Sequence, residues 1–268
     1  MRAKLALLWH MHQPCYYDPV AERYRMPWVF LHAAKDYCEM LRLAEEGGAR
    51  VTFNMVPSLM DQLEDYADPE VADVFLDALR KDPAELNGEE KRTLSAQFMI
   101  AHAENQVRRR PRYLSLYRRL AEGNSRALSA LTRQEWLDLE VLYLLAWTGE
   151  ITREESALIS ELEEQGSGFT QEQKLAFLAE LHALCGRTAA AFGRAEREGR
   201  IELSATPYYH PILPLLIDPQ SAREAVGRIR LPVLERGFGD DASWHVEHAI
   251  ARHEAVFGRK PRGFWPSE

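Results

Sequence analysis

The sequence predicts an α/β fold: an incomplete, TIM-like parallel barrel of about four strands, interrupted by a large all-helical insertion. Three observations predict it. Short apolar runs that end in polar residues recur at 4–9, 50–54, 201–206 and 263–265, as strands of a parallel sheet do where they reach a functional rim. Helical stretches separate the first two runs and the last two, which is the order of βα repeats. From 59 to 198 the apolar residues recur almost only at helical spacing. The chain therefore divides into first barrel units at 1–58, a helical insertion at 59–198 and a barrel continuation at 199–268.

Taken in order, Leu5 to Trp9 read as a buried strand that runs into His10-Met11-His12-Gln13-Pro14. Pro27 opens a helix through Trp28, Leu31, Cys38 and Leu43, and Gly47-Gly48 ends it. Arg50 to Asn54 form a second strand, closed by Pro57. In the insertion, Leu59-Met60-Leu63, Phe75-Leu79, Leu94-Phe98-Ile100, Tyr113-Leu116-Leu120, Trp136-Leu139-Leu142 and Leu175-Leu178-Leu181 mark helix core. Thr170 and Gln173 have the spacing of a reciprocal N-terminal cap. Strand grammar returns at Ile201 to Thr206, followed by the proline-rich Pro207-Tyr208-Tyr209-His210-Pro211, which cannot be regular helix or central strand. Ser221 to Arg230 and Ser243 to Phe257 read as helices, the second capped at Asp241 or Ser243, before the last short strand at Gly263-Phe264-Trp265. Four strands leave edges that a closed barrel would not have, so the reading is of a truncated barrel.

Composition narrows the function classes. The 268 residues are 46% hydrophobic and 28% charged, with a formal net charge of −8, which fits a globular protein and argues against a nucleic-acid partner. The one dense basic cluster, Arg108-Arg109-Arg110-Pro111-Arg112, reads as a solvated helix end. Cys15, Cys38 and Cys185 lack metal-like spacing and are odd in number, pointing to a reducing compartment without disulfides. The opening apolar run is too short for a signal peptide, and no stretch reads as long enough to span a bilayer, so no membrane partner and a cytoplasmic location are expected.

The chemistry-bearing residues fall at the ends of the expected strands: His10, His12 and Gln13, then Asn54, then Glu202 and His210, then Glu268. In a parallel barrel those ends converge on one rim. Trp9, Trp28, Tyr16, Tyr17, Tyr208, Tyr209 and Trp265 accompany them. Aromatic faces beside imidazoles and carboxylates suit a sugar, whose C–H face packs on a ring while its hydroxyls need donors and acceptors. Cleaving a glycosidic bond takes two carboxyl groups. Glu268, just past a Gly-aromatic strand, suits the nucleophile. Glu202 lies within its strand and suits hydroxyl binding better than the second catalytic role.

These segments resemble glycoside hydrolase family 57. The likeness is carried by Trp9 to Pro14 with Pro27 to Tyr37, by Phe53 to Leu59, by Gly199 to Leu203 running into Tyr208 to Leu216, and by Gly263 to Glu268. It implies an incomplete (β/α)7 barrel, retaining chemistry and α-glucan substrates such as starch, glycogen or maltodextrin, in the α-amylase, amylopullulanase and α-mannosidase-like branch. It also implies that His10, His12, Glu202, His210 and Trp265 line the donor-sugar subsite; Gln13, at the first strand end, and Trp28, among the accompanying aromatics, are further substrate-binding candidates on the residues themselves. Glu268 would form the glycosyl-enzyme, and no metal or cofactor would be needed. The acid/base aspartate of the resembled pattern belongs to a fourth region absent from these residues. The expectation is therefore of an inactive fragment, since loss of acid assistance costs ~10²–10⁴-fold.

Two rival readings stay open on the residues. His10-x-His12 after a first barrel strand is also how a metal-dependent hydrolase begins its site, with His210 as a further ligand. The chain would also serve as a non-catalytic glucan-binding module.

Overall fold

The computed structural model describes residues 4–121, 128, 130–231 and 237–267. The protein is α/β, mostly helical, with a small parallel sheet. Its strands are Leu7–Met11 (β1), Tyr17–Asp18 (β2), Arg23–Tyr24 (β3), Val51–Met55 (β4) and Glu202–Ser204 (β5). Two compact units divide it: residues 1–15, 41–64 and 187–268, which hold the parallel sheet, and residues 16–40 and 65–186, which are helical apart from the β2–β3 pair. These boundaries differ from the expected 58/59 and 198/199. Residues 16–40, read as part of the first barrel unit, cluster with the helices.

In the sheet unit the order is β1-β4-β5 with parallel pairing throughout. His10 pairs with Asn54, and Asn54 with Ser204, so these three form one row across the sheet. Where the last strand was expected, at 263–265, there is only an isolated parallel bridge from Ala205 to Phe264, beyond β5. Gly263 permits that approach, because a Cβ there would sit 3.3 Å from the Cβ of Ser204.

Two strand expectations are corrected. β1 starts and ends later than the apolar run suggested, since its pairing with β4 carries it through His10 and Met11. It is also an edge strand, with Leu7 and Leu8 exposed. The face behind it is covered: Phe53 is fully buried, edge-on to Trp9 at 5.2 Å and to Phe192 at 5.0 Å. Ser221–Arg230 is helical only over Ala222–Ala225, as a glycine at 227 disfavours continuation. The helix read from Ser243 begins at Gly239 and has no side-chain cap.

In the helical unit the aromatic stripes are core: Tyr66, Phe75, Phe98, Trp136, Tyr143 and Phe177 are buried. Ile100 and Leu175, read as part of those stripes, are exposed. Thr170 and Gln173 exchange their reciprocal bonds, and Asn87–Glu90 and Thr132–Glu135 do the same. The basic cluster is solvated only in part: Arg108 and Arg109 are exposed and pair with Glu104 and Glu150, whereas Arg110 is buried against Glu163 and Arg112 pairs with the buried Asp138.

The 27-residue helix Gln171–Arg197 is long and apolar enough to cross a membrane by length and composition, against the sequence expectation. It buries Lys174, Phe177, Leu181 and Cys185 in the helical unit's core and Phe192 in the sheet unit's, which is the behaviour of a core helix.

Gly149 is a close-packing glycine. A Cβ there would lie 2.2 Å from the carboxyl carbon of Glu39. That carboxylate caps the helix Glu150–Glu155, accepting from the amides of Ile151 at 3.1 Å and Thr152 at 2.9 Å. Gly149→Ala displaces it and costs about 1–2 kcal/mol, the worth of a lost N-terminal cap. Urea denaturation checks this, and a variant as stable as wild type would contradict it.

Candidate functional site: a histidine cluster at the strand ends

Side chains alternate along a strand, so Leu8 and His10, Thr52 and Asn54, and Glu202 and Ser204 project from one face of the sheet. Asn54 is fully buried and organises the row. Its Nδ2 donates to the Ala205 carbonyl at 2.7 Å and to Ser204 Oγ at 3.0 Å. A carbonyl only accepts, so the amide orientation is set, and Oδ1 faces His10 Nδ1 at 2.6 Å. Nδ1 of His10 therefore carries the proton, and its Nε2 presents a lone pair.

His12 follows two residues on and lies beside His10, ring centroids 5.5 Å apart. His210 arrives from the segment after β5 and sits 4.5 Å from both rings, stacked on His12. Its backbone is left-handed, φ 56°, an uncommon conformation for a residue with a Cβ. A turn holds it, with the His210 amide donating to the Pro207 carbonyl at 2.8 Å.

That turn is itself tied down. The Tyr208 carbonyl accepts from Ser58 N, the Tyr208 amide donates to the His245 carbonyl, and the Tyr208 hydroxyl donates to Asp61 at 2.7 Å. Arg252 holds the other oxygen of Asp61 at 2.8 Å. Burial, and then the Asp61 carboxylate, push the Tyr208 phenol up, so it stays a donor.

Beside the turn, Tyr209 and Trp244 lie parallel to within 8° at 6.3 Å, and Trp244 stacks on His248 at 4.1 Å. Tyr209 and Trp244 are exposed, with one face of Trp244 covered by His248, and the ring surface left uncovered suits the apolar face of a sugar.

Of the sequence-predicted residues, His10, His12 and His210 come together, with Gln13 half-buried next in the chain. Trp265 is exposed, and its amide donates to the Ala205 carbonyl at 2.8 Å. Glu202 stands apart. It pairs with Thr52, one side-chain step before the histidine row, accepts from Thr52 Oγ1 at 3.1 Å, and lines a cavity of about 340 Å³ with Ala6, Leu7, Arg50 and Arg200. Trp28 belongs to the helical unit, against Trp147 at 5.7 Å. Glu268 lies outside the described residues; the chain leads to it through Ser267, buried and left-handed at φ 67°. Sequence reasoning missed Trp244, His245 and His248. The available signal was the i, i+4 spacing of Trp244 and His248 within a helix already expected.

The Glycosyl hydrolase family 57 profile matches residues 6–268. No curated protein matches significantly. Among solved structures, the chain is similar to the alpha-amylase AmyC from Thermotoga maritima at 16% identity and a TM-score of 0.44, covering 100% of this chain and 36% of that one. It is similar to a branching enzyme of the same family from Thermococcus kodakaraensis, crystallised with glucose, at 15% identity and a TM-score of 0.40, covering 97% and 32%. A branching enzyme of this type from Pyrococcus horikoshii gives 17% identity and a TM-score of 0.42, covering 97% and 34%. The chain thus spans about a third of the length of these structures. On the profile match, which covers nearly every residue, the chain belongs to glycosyl hydrolase family 57.

Proposed function

We propose that this chain carries the donor-sugar side of a retaining glycoside hydrolase or 4-α-glucanotransferase acting on α-glucans, and that its four parallel segments open a (β/α)7 barrel. One observation carries the reading: in a family 57 chain, His10, His12 and His210 converge at the C-terminal ends of parallel strands, in the unit that also presents the exposed rings of Tyr209 and Trp244.

The chemistry follows from the parts. His10 Nε2 accepts a sugar hydroxyl, because Asn54 holds the ring proton on the other nitrogen. The aromatic faces take the C–H side of the ring. Glu268, as the sequence reading has it, attacks the anomeric carbon and forms the glycosyl-enzyme while the leaving oxygen takes a proton from a second carboxyl group. Water or a glucan hydroxyl then releases the sugar, which separates hydrolysis from transfer.

A 5-fluoro-α-maltosyl fluoride tests the nucleophile. Its fluoride leaves without protonation, so the C1–F bond breaks and a Glu268 oxygen–C1 bond forms without help from an acid. The expected result is a mass increase of one 5-fluoromaltosyl group, placed on Glu268 by peptide mapping and absent in Glu268→Gln. Binding is tested separately by calorimetry with maltopentaose. His12→Ala should weaken it at least tenfold with the melting temperature unchanged. Labelling elsewhere, or binding indifferent to His12, would overturn the reading.

A further inference from the structure

We propose that Lys35, Arg109, Arg110 and Arg153 form a binding site for a phosphate dianion, free or as the monoester of a small polar molecule. The site lies within the helical unit, goes beyond the glucan reading and does not depend on it. With Glu39 and Glu150, these four cations line a cavity of about 410 Å³. Pockets that hold small molecules measure ~300–1,000 Å³, so there is room for more than the ion alone.

The charges along the wall are unevenly matched. Arg109 and Arg153 both pair with Glu150, at 3.0 and 2.6 Å, one on each carboxylate oxygen. Arg110 pairs with Glu163 at 2.7 Å, and Arg153 approaches the same oxygen at 3.7 Å. Among the described residues, three guanidinium groups thus share two carboxylates. Arg110 is buried and donates to the carbonyls of Gln106 and Leu145, so its charge is fixed in the wall. The other carboxylate at the cavity, Glu39, is committed to the amides of Ile151 and Thr152. Lys35 pairs with Asp36 at 2.9 Å, which uses one of the three donors of its ammonium. Glu154 and Glu164 line the adjoining depression rather than this cavity.

Glu150 marks where the ligand sits. Its side chain is 66% exposed, yet it is held between two guanidinium groups. Burial alone would raise its carboxyl; Arg153 and Arg109 outweigh that and hold it below the usual carboxylate range. The position therefore favours an anion. A phosphate dianion suits the same two forks, with more charge and a further oxygen for the Lys35 ammonium. Displacing Glu150 breaks only ion pairs of an exposed carboxylate, which are worth little. The backbone around the cavity is also unusual. Lys35 sits in a π-helical turn, Ala33–Tyr37, and a second such turn, Ala103–Val107, brings Asn105 and Gln106 to the same lining. Turns of this kind are rare and recur at functional sites.

The test is calorimetry on the full chain in a phosphate-free buffer, titrated with inorganic phosphate and, separately, with glucose 6-phosphate. One anion should bind per chain. Tighter binding of the ester identifies a phosphorylated small molecule as the ligand, and equal binding identifies free phosphate; either supports the site. Arg109→Gln and Arg153→Gln should each weaken binding ~10–100-fold, the worth of hydrogen bonds to a charged group. Glu150→Gln should tighten it ~2–5-fold, because the competing carboxylate is gone. Arg118→Gln, at an exposed arginine outside the cavity, should bind as wild type does. Glucose should not displace the ester. Circular dichroism verifies that each variant folds. Arg109 is 62% exposed, so its variant decides the matter even should Arg153→Gln fail to fold. No saturable binding of either probe at millimolar concentration, binding indifferent to Arg109, weaker binding in Glu150→Gln, or displacement by glucose would overturn the proposal.

Discussion

Lys174→Met destabilises the protein by about 3–5 kcal/mol, the cost of leaving one member of a buried ion pair without its partner. Lys174 and Glu140 are both inaccessible to solvent, joined by a 2.7 Å bond from Nζ to Oε2. Nζ also donates to the Lys81 carbonyl at 2.8 Å. Burial raises the Glu140 carboxyl and lowers the Lys174 ammonium, each being worse placed than in water, and the partner's opposite charge offsets part of that. Removing the cation removes the offset and drives Glu140 higher still.

The sign of the pH dependence follows. A carboxyl whose folded pKa lies above its unfolded value imposes no penalty below the unfolded value, and its penalty grows as pH rises toward the folded one. The deficit of Lys174→Met relative to wild type should therefore be larger at pH 8 than at pH 5. Adding Glu140→Gln should recover part of it at pH 8. Urea denaturation at both values measures this. A deficit under 1 kcal/mol, or one that grows on acidification, would contradict it.

Asn54→Ala costs about 2–3 kcal/mol, because it strips partners from buried polar groups on both sides of the central strand. Ser204 Oγ and the Ala205 carbonyl lose a donor, and His10 Nδ1 loses its acceptor. Asn54→Asp is the sharper probe. It keeps an acceptor for His10 but sets an oxygen against the Ala205 carbonyl, so it should be destabilised as well. A merely structural asparagine would lower the melting temperature and leave maltopentaose affinity per folded molecule intact. The arrangement here predicts that affinity also falls in Asn54→Ala, since the His10 ring is no longer aimed. Calorimetry below the melting transition separates the two outcomes.

What was legible in the sequence was what short-range patterns encode. Parallel β1, β4 and β5 and the bridge at Phe264 lie where apolar runs meet polar residues. The cap at Thr170 was readable from spacing alone. His10, His12 and His210 were named because they follow strands, and the structure brings their rings together. What was not legible depended on partners distant in sequence. Leu7 and Leu8 look buried by hydrophobicity, yet whether they are covered is decided by which strand lies beyond β1. Arg110 looks solvated within a basic run, yet Glu163, 53 residues on, draws it inside. Glu202 lies two residues from Ser204, a distance that separates one end of a strand from the other. The role of Asn54 needs three contacts, two of them about 150 residues away, and no local pattern encodes that.

Imidazole resonances test the proposed glucan site most directly. With the histidine rings isotopically labelled, maltopentaose should shift the ring signals of His10, His12 and His210 in a saturable way, while the buried His182 and His253 stay in place. Saturable binding that leaves all three strand-end rings unmoved would contradict the account.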